Sequence, residues 1–284
     1  MAEETRHKAP HDLHDRGFKE LFQNQDAFLD LLQHFIADPW VWRVGQEAKP
    51  FQLSSNEFVT EDFAKLQSDI VYQLHFAEAQ QNLDSEDFFV LLEFQSSVDS
   101  RMVVRLYHYI YEIQRQAFKS GKTRSEVPLV LPIVLYDGRE RWTAPMHLHE
   151  LTGQAIRPMI SSGVEAIDLG YYFLDVKRYS INELLAMKSP VACVLVLDGA
   201  NDWKDLHDRL NAAADILEAL EEGRFSWVTT WIDHVIAPSL SSEHQSEVQA
   251  ILNKAHPKVA REMVANLGRV FDEELEKKAK EGEL

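Results

Sequence analysis

The first third of the chain shows an apolar pattern with the period of a helix. Between Asp15 and the pair Asp38-Pro39, apolar residues recur at spacings of three and four, which keeps them on one side of a helix of about six turns. A residue that precedes proline avoids the helical conformation, so this helix is expected to end before Pro39. The apolar positions are Phe18, Leu21, Phe22, Phe28, Leu29, Leu32, Phe35 and Ile36. The next segment, residues 40–51, has no period that assigns it to an element.

Two further segments have the patterns of neighbouring strands. Polar and apolar residues alternate from Leu66 to Phe76, which predicts a strand with two unlike faces. The run Phe88–Gln95 is almost entirely apolar, as is typical of a strand buried on both sides. Only the polar linker Glu78–Asp87 separates the two segments, so they are close enough in sequence to form an antiparallel pair.

A second helix and two more strands complete the predicted core. Apolar residues from Val103 to Ala117 recur with a helical period, and Gly121 provides a stop signal. The apolar run Leu129–Tyr136 predicts a strand, although Pro132 argues against a central position because proline cannot donate to a strand ladder. The segment Tyr171–Val176 predicts a last strand. The order of elements predicts an α/β or α+β core.

The chain changes character after about residue 180. The segments there fit helices and are Ile181–Met187, Leu206–Leu220, Phe225–Ile236 and His244–Phe271. We therefore divide the chain into a flexible N-terminus (residues 1–13), a core domain with the predicted sheet (residues 14–178) and a helical C-terminal region (residues 179–284).

The charge of the chain argues against a protein that coats nucleic acid. The chain has 29 basic and 46 acidic residues, a net charge of −17, whereas non-specific DNA binding depends on neutralising phosphates. One stretch, from Asp99 to Arg124, nevertheless carries a net charge of +4 and contains interleaved tyrosines. It is either a DNA-contacting helix or a solvated helix face. The candidate DNA contacts are Arg101, Arg105, Arg115 and Lys119.

The sharpest candidate for chemistry is the set Asp69, Glu93 and Gln95. Glu93 and Gln95 are two residues apart on one predicted strand, so their side chains face the same side. Glu93 interrupts an apolar run, and a buried carboxylate is costly unless it is paired or binds a metal. With Asp69 on the neighbouring strand, the carboxylates could converge on Mg²⁺ or Mn²⁺, which can activate water for attack on a phosphate. Alternatively, both carboxylates lie at strand ends and are solvated or ion-paired.

Other reactive side chains give weaker signals. His147 and His149, and likewise His11 and His14, are spaced closely enough to share one metal ion. The sequence offers neither pair an evident third ligand, so we interpret both pairs as turn or surface residues. Cys193 lies in an apolar run and fits a buried, unreactive thiol.

Several classes of protein are excluded or disfavoured. With one cysteine, the chain can form no internal disulfide and no cysteine zinc cluster, and it fits a reducing, cytoplasmic setting. The sequence has no phosphate-binding loop, no dinucleotide-binding motif and no serine nucleophile elbow. The longest apolar run, Val191–Leu197, has 7 residues, whereas a membrane-spanning helix needs about 20. We therefore expect no insertion into a membrane.

Several short motifs occur in order along residues 11–178. Asp69 and Glu93-x-Gln95 are preceded by His14-Asp15-x-x-Phe18-Lys19-x-x-Phe22 and followed by Arg105-Leu-Tyr-x-Tyr109, Leu131-Pro-Ile-Val-Leu-Tyr-Asp-Gly138 and Trp142. In this order and spacing, the motifs resemble the Rpn family of recombination-promoting nucleases, also known as YhgA-like putative transposases. That family is similar to the PD-(D/E)xK nuclease superfamily.

The resemblance implies a PD-(D/E)xK nuclease-like core, a mixed sheet flanked by helices, in residues 14–178 and hydrolysis of DNA. It implies that Asp69 and Glu93 bind Mg²⁺ or Mn²⁺ and that Gln95 occupies the place of a lysine that orients water. A neutral glutamine can hold water by hydrogen bonds but supplies no charge. Lys19 could supply the charge from the first helix together with Asp15, or these two residues could simply pair on the helix surface.

Two functions from different classes follow as hypotheses. The first is a cytoplasmic, metal-dependent DNA endonuclease linked to recombination or mobile elements. The second is an interaction or regulatory module that keeps the nuclease fold but has little activity, which Gln95 and the net charge of −17 favour. A homo-oligomer formed through the C-terminal helices is compatible with both.

Overall fold

A mixed sheet organises the middle of the chain. This computed structural model describes residues 11–46, 52–53, 70–75, 87–119, 127–153 and 167–281. The strands have the same order in the sheet as in the chain: β1 (Gln52–Leu53), β2 (Ile70–His75), β3 (Asp87–Gln95), β4 (Leu129–Tyr136) and β5 (Tyr172–Asp175). Strands β1 to β3 pair antiparallel, and β3 to β5 pair parallel. The predicted mixed sheet is confirmed.

Helices precede, interrupt and follow this sheet. Those before it are α1 (His11–Phe22), α2 (Gln25–Phe35) and α3 (Pro39–Gln46), and α4 (Met102–Lys119) joins β3 to β4. The later ones are α5 (Ile181–Ala186), α6 (Pro190–Asp198), α7 (Trp203–Ala219), α8 (Glu222–Trp231), α9 (Ser242–Leu252) and α10 (Ala260–Glu281). The helical C-terminal region predicted from the sequence is therefore confirmed.

The antiparallel pair predicted from the two neighbouring apolar segments is present. Val71 pairs with Leu91, and Gln73 pairs with Phe89. The alternation predicted a polar face for β2, but Gln73 is buried, as are Tyr72 and Leu74. At Gln73, therefore, the face of this strand that the alternation predicted to be polar is covered by other parts of the protein.

Strand β4 occupies the central position that its proline argued against. It pairs with β3 along its whole length, but β5 joins it only from Ile133 onward. Pro132 thus lies just before the point where the second neighbour begins. At Pro132, the side of β4 that faces β5 makes no ladder hydrogen bonds, so the missing N–H of the proline is tolerated there.

Helix α4 packs against the face of the sheet formed by the odd-numbered residues of β3. Phe89 and Leu91 share one buried cluster with Met102, Leu106 and Ile110 of the helix. Glu93 and Gln95 continue the same face because side chains alternate along a strand. The packing of α4 therefore brings its first turn towards Glu93.

The opposite face of β3 is also buried, as the continuous apolar run predicted. Trp40 of α3 contacts Phe88 edge to face, with ring centroids 5.6 Å apart. The indole N–H of Trp40 donates to the Tyr172 hydroxyl (3.1 Å), which donates to Asp38 (2.7 Å). The first part of the segment that the sequence left unassigned, up to Gln46, is therefore a helix attached to β5, and residues 47–51 lie outside the described residues.

The long first helix predicted from the sequence is wrong, because the chain forms two helices there. The break lies at Gln23 and Asn24. The Asn24 side chain accepts the backbone N–H groups of Asp26 (2.9 Å) and Ala27 (3.2 Å), which starts α2. An asparagine at this position satisfies N–H groups that a continuous helix would bond internally, so it favours a new start.

Helix α6 was not predicted as a helix. All nine of its residues are buried, so its sequence shows an unbroken apolar run instead of a helical period. Asp30 of α2 accepts hydrogen bonds from the Ser189 hydroxyl and, at 3.3 Å, from the Val191 N–H. Cys193 is buried in this helix as predicted, and burial raises the pKa of its thiol to about 12.

The last predicted helix, His244–Phe271, is wrong as one element. The chain forms α9 and α10 there, separated by a short segment that contains Pro257. Proline lacks the N–H that a helix interior needs, so it begins a new turn more readily than it continues one. A π-helical turn, Ile232–Ile236, extends α8.

The chain folds as two compact units. One unit consists of residues 38–176 and contains the sheet with α3 and α4. The other joins residues 1–37 to residues 177–284, so α1 and α2 belong with the C-terminal helices. The sequence motif that begins at His14 therefore contributes to the helical unit.

Candidate active site

Glu93 is buried near the carboxyl end of β3, and its side chain is 3% exposed. It lies opposite Val134 in the parallel ladder with β4 and is surrounded by apolar strand residues. A carboxylate in such a position needs compensating charge. The prediction that Glu93 is buried on a strand is thus confirmed. What the site can do depends on the group that compensates the charge of Glu93.

Arg105 of α4 supplies that charge. Its guanidinium contacts a carboxylate oxygen of Glu93 and pairs with Asp99 at 3.1 Å (Nη1 to Oδ2). Arg105 is one third exposed, so its outer side meets solvent while its inner side meets Glu93. A residue that the sequence assigned to DNA contact therefore also neutralises the candidate metal ligand.

Gln95 lies beside Glu93 on the same face of β3. Its amide nitrogen donates to Glu93 Oε1 (3.1 Å) and to the carbonyl oxygen of Phe94 (2.6 Å). The two N–H groups of the amide are thereby engaged, and the amide oxygen is the atom that can accept a hydrogen bond from a water. The structure therefore brings Glu93, Gln95 and Arg105 together at one end of the sheet.

The remaining predicted site residues fall elsewhere. Asp69 lies outside the residues that the structure describes. Asp15 and Lys19 lie on α1, within the helical unit. Their predicted auxiliary role is therefore neither supported nor opposed by a described contact.

The candidate DNA-binding residues share one face of α4. Arg101 directly precedes the helix, and at 100° per residue the four basic positions fall within about 80° of one another. Arg115 pairs with Glu112 of the same face (Nε to Oε2, 2.9 Å), and this contact holds the pKa of Glu112 below its usual range. Arg101 and Lys119 are exposed. We call Arg101, Arg105, Arg115 and Lys119 the basic stripe.

Exposed apolar side chains flank the basic stripe. They lie on the neighbouring face of α4 and are Val104, Tyr107, Tyr111 and Phe118. Aromatic rings beside cations are a combination that proteins use to hold nucleic acid, because bases stack on rings while cations meet phosphates. The helix that neutralises Glu93 therefore also presents a surface of this composition.

Two acidic residues near the same edge were not singled out from the sequence. Asp137 follows β4, is buried, and donates its backbone N–H to the carbonyl of Gln95 at 3.0 Å. Asp175 ends β5 and pairs with Tyr136 in the ladder. Burial, together with the negative charges of Asp175, Glu140 and Asp137, raises the pKa of the Tyr136 hydroxyl. The sequence signal was available, since an acid directly after an apolar strand lies at the carboxyl edge where parallel sheets bind ligands.

The aromatic residues of the motif that ends in Trp142 serve packing. The Tyr136 and Trp142 rings lie 4.9 Å apart, and the Tyr136 hydroxyl donates to the Glu140 carbonyl (2.8 Å). The indole N–H of Trp142 donates to the Tyr171 hydroxyl at 3.0 Å. These contacts fix the loop after β4 and do not by themselves provide a reactive group.

The structure changes the interpretation of one histidine pair. His147 and His149 lie beside Asp168, a third potential ligand that is 19 residues away from His149 in sequence. This third residue had no signal in the sequence, because a ligand so distant along the chain has no characteristic spacing from the two histidines.

Among the described residues, no helix is both long enough and apolar enough to cross a membrane. Comparison with known families gives one match, over residues 12–226, to the family described as "Putative transposase, YhgA-like". Comparisons with curated proteins and with solved structures give no match.

Proposed function

The chain belongs to the YhgA-like putative transposase family, and we propose that it is a divalent-metal-dependent endonuclease that hydrolyses phosphodiester bonds in DNA. Membership in a family of this description supports a role in processing nucleic acid. The observation that carries the finer proposal is the buried carboxylate of Glu93 beside Gln95 at the carboxyl end of β3. The proposal takes this sheet and α4 as a PD-(D/E)xK nuclease core acting in recombination or mobile elements, in the cytoplasm.

The donor set fits a hard divalent cation. Carboxylate and amide oxygens are the protein ligands that Mg²⁺ and Mn²⁺ prefer. The last described pair of the β2–β3 ladder is Ile70 with Leu92, so the proposal requires one further pair, Asp69 with Glu93. Residues paired directly in an antiparallel ladder have Cβ atoms about 5 Å apart, close enough for two carboxylates to share one ion.

Each residue of the proposed site has a separate task. Asp69 and Glu93 would hold the ion, which when bound polarises a phosphoryl oxygen and lowers the pKa of water. Gln95 would orient the attacking water by accepting a hydrogen bond from it at the amide oxygen, since its N–H groups already bond Glu93 and Phe94. The basic stripe and its flanking aromatic rings would hold the DNA backbone.

One contact favours a second candidate function. Arg105 already neutralises Glu93, and a cation at this carboxylate must share it with the guanidinium or displace it. A permanent ion pair at this position would leave a nuclease-like fold that binds partners without cleaving DNA. Together with the neutral Gln95, this contact favours an interaction or regulatory module as the alternative.

Cleavage of a supercoiled plasmid by the purified full-length chain tests the proposal. With Mg²⁺ or Mn²⁺ we expect nicked and linear products, and with EDTA we expect none. Asp69→Asn and Glu93→Gln should each lower the rate at least about 100-fold, because each removes a charge that binds the ion. Glu140→Gln removes an exposed acid after β4 and should leave the rate unchanged.

Metal binding needs a measurement that does not depend on activity. Titration of Mn²⁺ followed by electron paramagnetic resonance should show a site that weakens in Asp69→Asn and Glu93→Gln but not in Glu140→Gln. Cleavage that persists in both ligand variants would refute the site. Absence of both Mn²⁺ binding and cleavage in a protein with an intact melting transition would establish the interaction module instead.

A further inference from the structure

The cluster of His147, His149 and Asp168 joins two segments of the sheet-containing unit. His147 and His149 lie at the start of a short 3-10 helix, Leu148–Leu151, after β4, and Asp168 lies shortly before β5. Asp168 Oδ2 is 2.7 Å from His149 Nδ1 and 3.8 Å from His147 Nδ1. The two imidazole rings stack with centroids 5.2 Å apart. One carboxylate oxygen therefore faces both histidines.

The backbone holds the carboxylate in this position. Asp168 Oδ1 accepts the N–H groups of His149 (3.0 Å) and Leu169 (3.1 Å), which leaves Oδ2 directed at the imidazoles. The Leu148 N–H donates to the Leu169 carbonyl at 2.9 Å and fixes the two segments side by side.

Gly170 makes room for the ring of His147. The two residues form an isolated antiparallel bridge. A Cβ atom on Gly170 would lie 2.8 Å from Cε1 and 3.0 Å from Nδ1 of the His147 ring, closer than side chains pack. The imidazole of His147 therefore lies directly over the glycine backbone, and any other residue at 170 would force the ring to move.

We propose that His147, His149 and Asp168 form a binding site for a divalent transition-metal ion such as Zn²⁺, which shares no residue with the proposed nuclease site. All three ligand atoms lie within 4.8 Å of one another. Two donors bound about 2 Å from a tetrahedral ion are separated by about 3.3 Å, and the observed 2.7 and 3.8 Å lie on either side of that value.

The ligand types select the kind of ion. Imidazole nitrogen favours Zn²⁺, Co²⁺ and Ni²⁺ over Mg²⁺, which prefers oxygen and retains its waters. His147 and Asp168 are exposed, so a fourth position is open to water. An ion bound here links the loop after β4 to the segment before β5 and thereby stabilises the edge of the sheet where β5 attaches.

Titration of the chelator-treated, full-length protein with ZnCl₂ tests the site. Calorimetry should show one Zn²⁺ bound per chain at micromolar concentration, with no competition from millimolar Mg²⁺, and Zn²⁺ should raise the melting temperature. The variant with both His147→Ala and His149→Ala should lose this binding. His234→Ala is the matched control, because His234 also contacts a carboxylate, Glu20 at 2.8 Å, but has no second histidine beside it.

Gly170→Ala adds a test of geometry without removing a ligand. The added methyl group should displace the His147 ring and weaken Zn²⁺ binding at least about tenfold, as changes around metal ligands commonly do. If the double histidine variant loses its melting transition, Asp168→Asn replaces it, since an amide oxygen still accepts the His149 N–H. Zn²⁺ binding that is absent from the wild type, or equal in wild type and ligand variants, would overturn the proposal.

Discussion

At the scale of single residues, the contact between Glu93 and Arg105 matters most, both for stability and for access of a metal ion to Glu93. The carboxylate is buried, whereas the guanidinium reaches solvent and a second acid, Asp99. Removing either partner of such a pair costs more than the pair contributes, because the other charge is left in a poorly solvated place. The same contact determines whether a metal ion can reach Glu93.

Arg105→Met should therefore lower the free energy of unfolding by about 3 kcal/mol, the usual cost of leaving a buried charge without its ion-pair partner. Adding Glu93→Gln should recover part of that loss, because the carboxylate no longer needs a cation. Urea unfolding of the single and double variants measures both effects. Arg115→Met is the control and should cost at most about 1 kcal/mol, since its acidic partner Glu112 is less buried than Glu93, with 13% of the side chain exposed against 3%. Equal costs at the two arginines would contradict the prediction.

At the scale of elements, helix α1 depends on one close approach. A Cβ atom on Gly17 would lie 2.3 Å from Val235 in the π-helical turn and 2.9 Å from the ring of Trp231. The Phe18 and Trp231 rings also touch, with centroids 4.7 Å apart. The absence of a side chain at residue 17 therefore sets the distance at which α1 packs on α8.

Gly17→Ala should destabilise the helical unit by about 1–3 kcal/mol, because overpacking forces the helices apart. Gly223→Ala is a matched control on α8, where a Cβ atom would have no neighbour within 4 Å. There the change should be neutral or stabilise by up to about 1 kcal/mol, as alanine favours helix. Thermal denaturation of both variants measures the difference. A harmless alanine at residue 17 would show that this contact is not tight.

Helices α9 and α10 are joined through a fully buried carboxylate, Glu274. It lies 2.5 Å from His244 Nδ1 and accepts the Ser241 hydroxyl (2.9 Å) and backbone N–H (3.2 Å), which caps the start of α9. Lys278 pairs with it at 3.3 Å. Although burial raises the pKa of Glu274, the hydrogen bonds from His244 and Ser241 outweigh it and lower the pKa to about 2.

The pKa of Glu274 is lower in the folded state than in the unfolded state. The ionised carboxylate therefore stabilises the fold above about pH 4.5, and this stabilisation is lost as the pH falls towards 2. Glu274→Gln should therefore cost about 3 kcal/mol at pH 7, and the difference from wild type should shrink between about pH 5 and pH 2. Urea unfolding across this range measures it. Glu276→Gln, an exposed acid on the same helix, should cost at most about 1 kcal/mol at any pH. A difference independent of pH would refute the assigned cause.

At the scale of the whole molecule, a net charge of −17 would restrict the proposed DNA binding to a local surface. The basic stripe on α4 provides a few cations, of which Arg105 and Arg115 are partly neutralised by acids. An interface of this kind neutralises few phosphates, so its affinity should be modest and should fall with salt. The charge therefore favours brief, salt-sensitive contact with DNA.

The variant with Arg101→Gln and Lys119→Gln should bind a short DNA duplex about tenfold more weakly at low salt. The slope of its log affinity against log salt concentration should be shallower than that of the wild type by about 2. The variant with Lys277→Gln and Lys280→Gln on α10 changes the net charge equally and should bind as the wild type does. Fluorescence anisotropy at several salt concentrations measures both. Equal losses in the two variants would show that total charge, and not the stripe, determines binding.

The sequence by itself determined the features that repeat within one element. The apolar period predicted α4 and most of the C-terminal helices, and the apolar run Phe88–Gln95 predicted β3 with Glu93 inside it. The family followed from short motifs and their order, and the mixed sheet was what the resemblance to that family implied. Such features are accessible because the spacing of side chains within a helix or strand is fixed by its geometry.

Only the tertiary structure decided which side chains from different elements meet. Arg105 on Glu93, Asp168 beside His147 and His149, and the attachment of α1 to the C-terminal helices depend on how loops of arbitrary length return the chain. No residue spacing encodes these paths. The break at Asn24 is the intermediate case, because its capping signal was present in the sequence but the stronger apolar period concealed it.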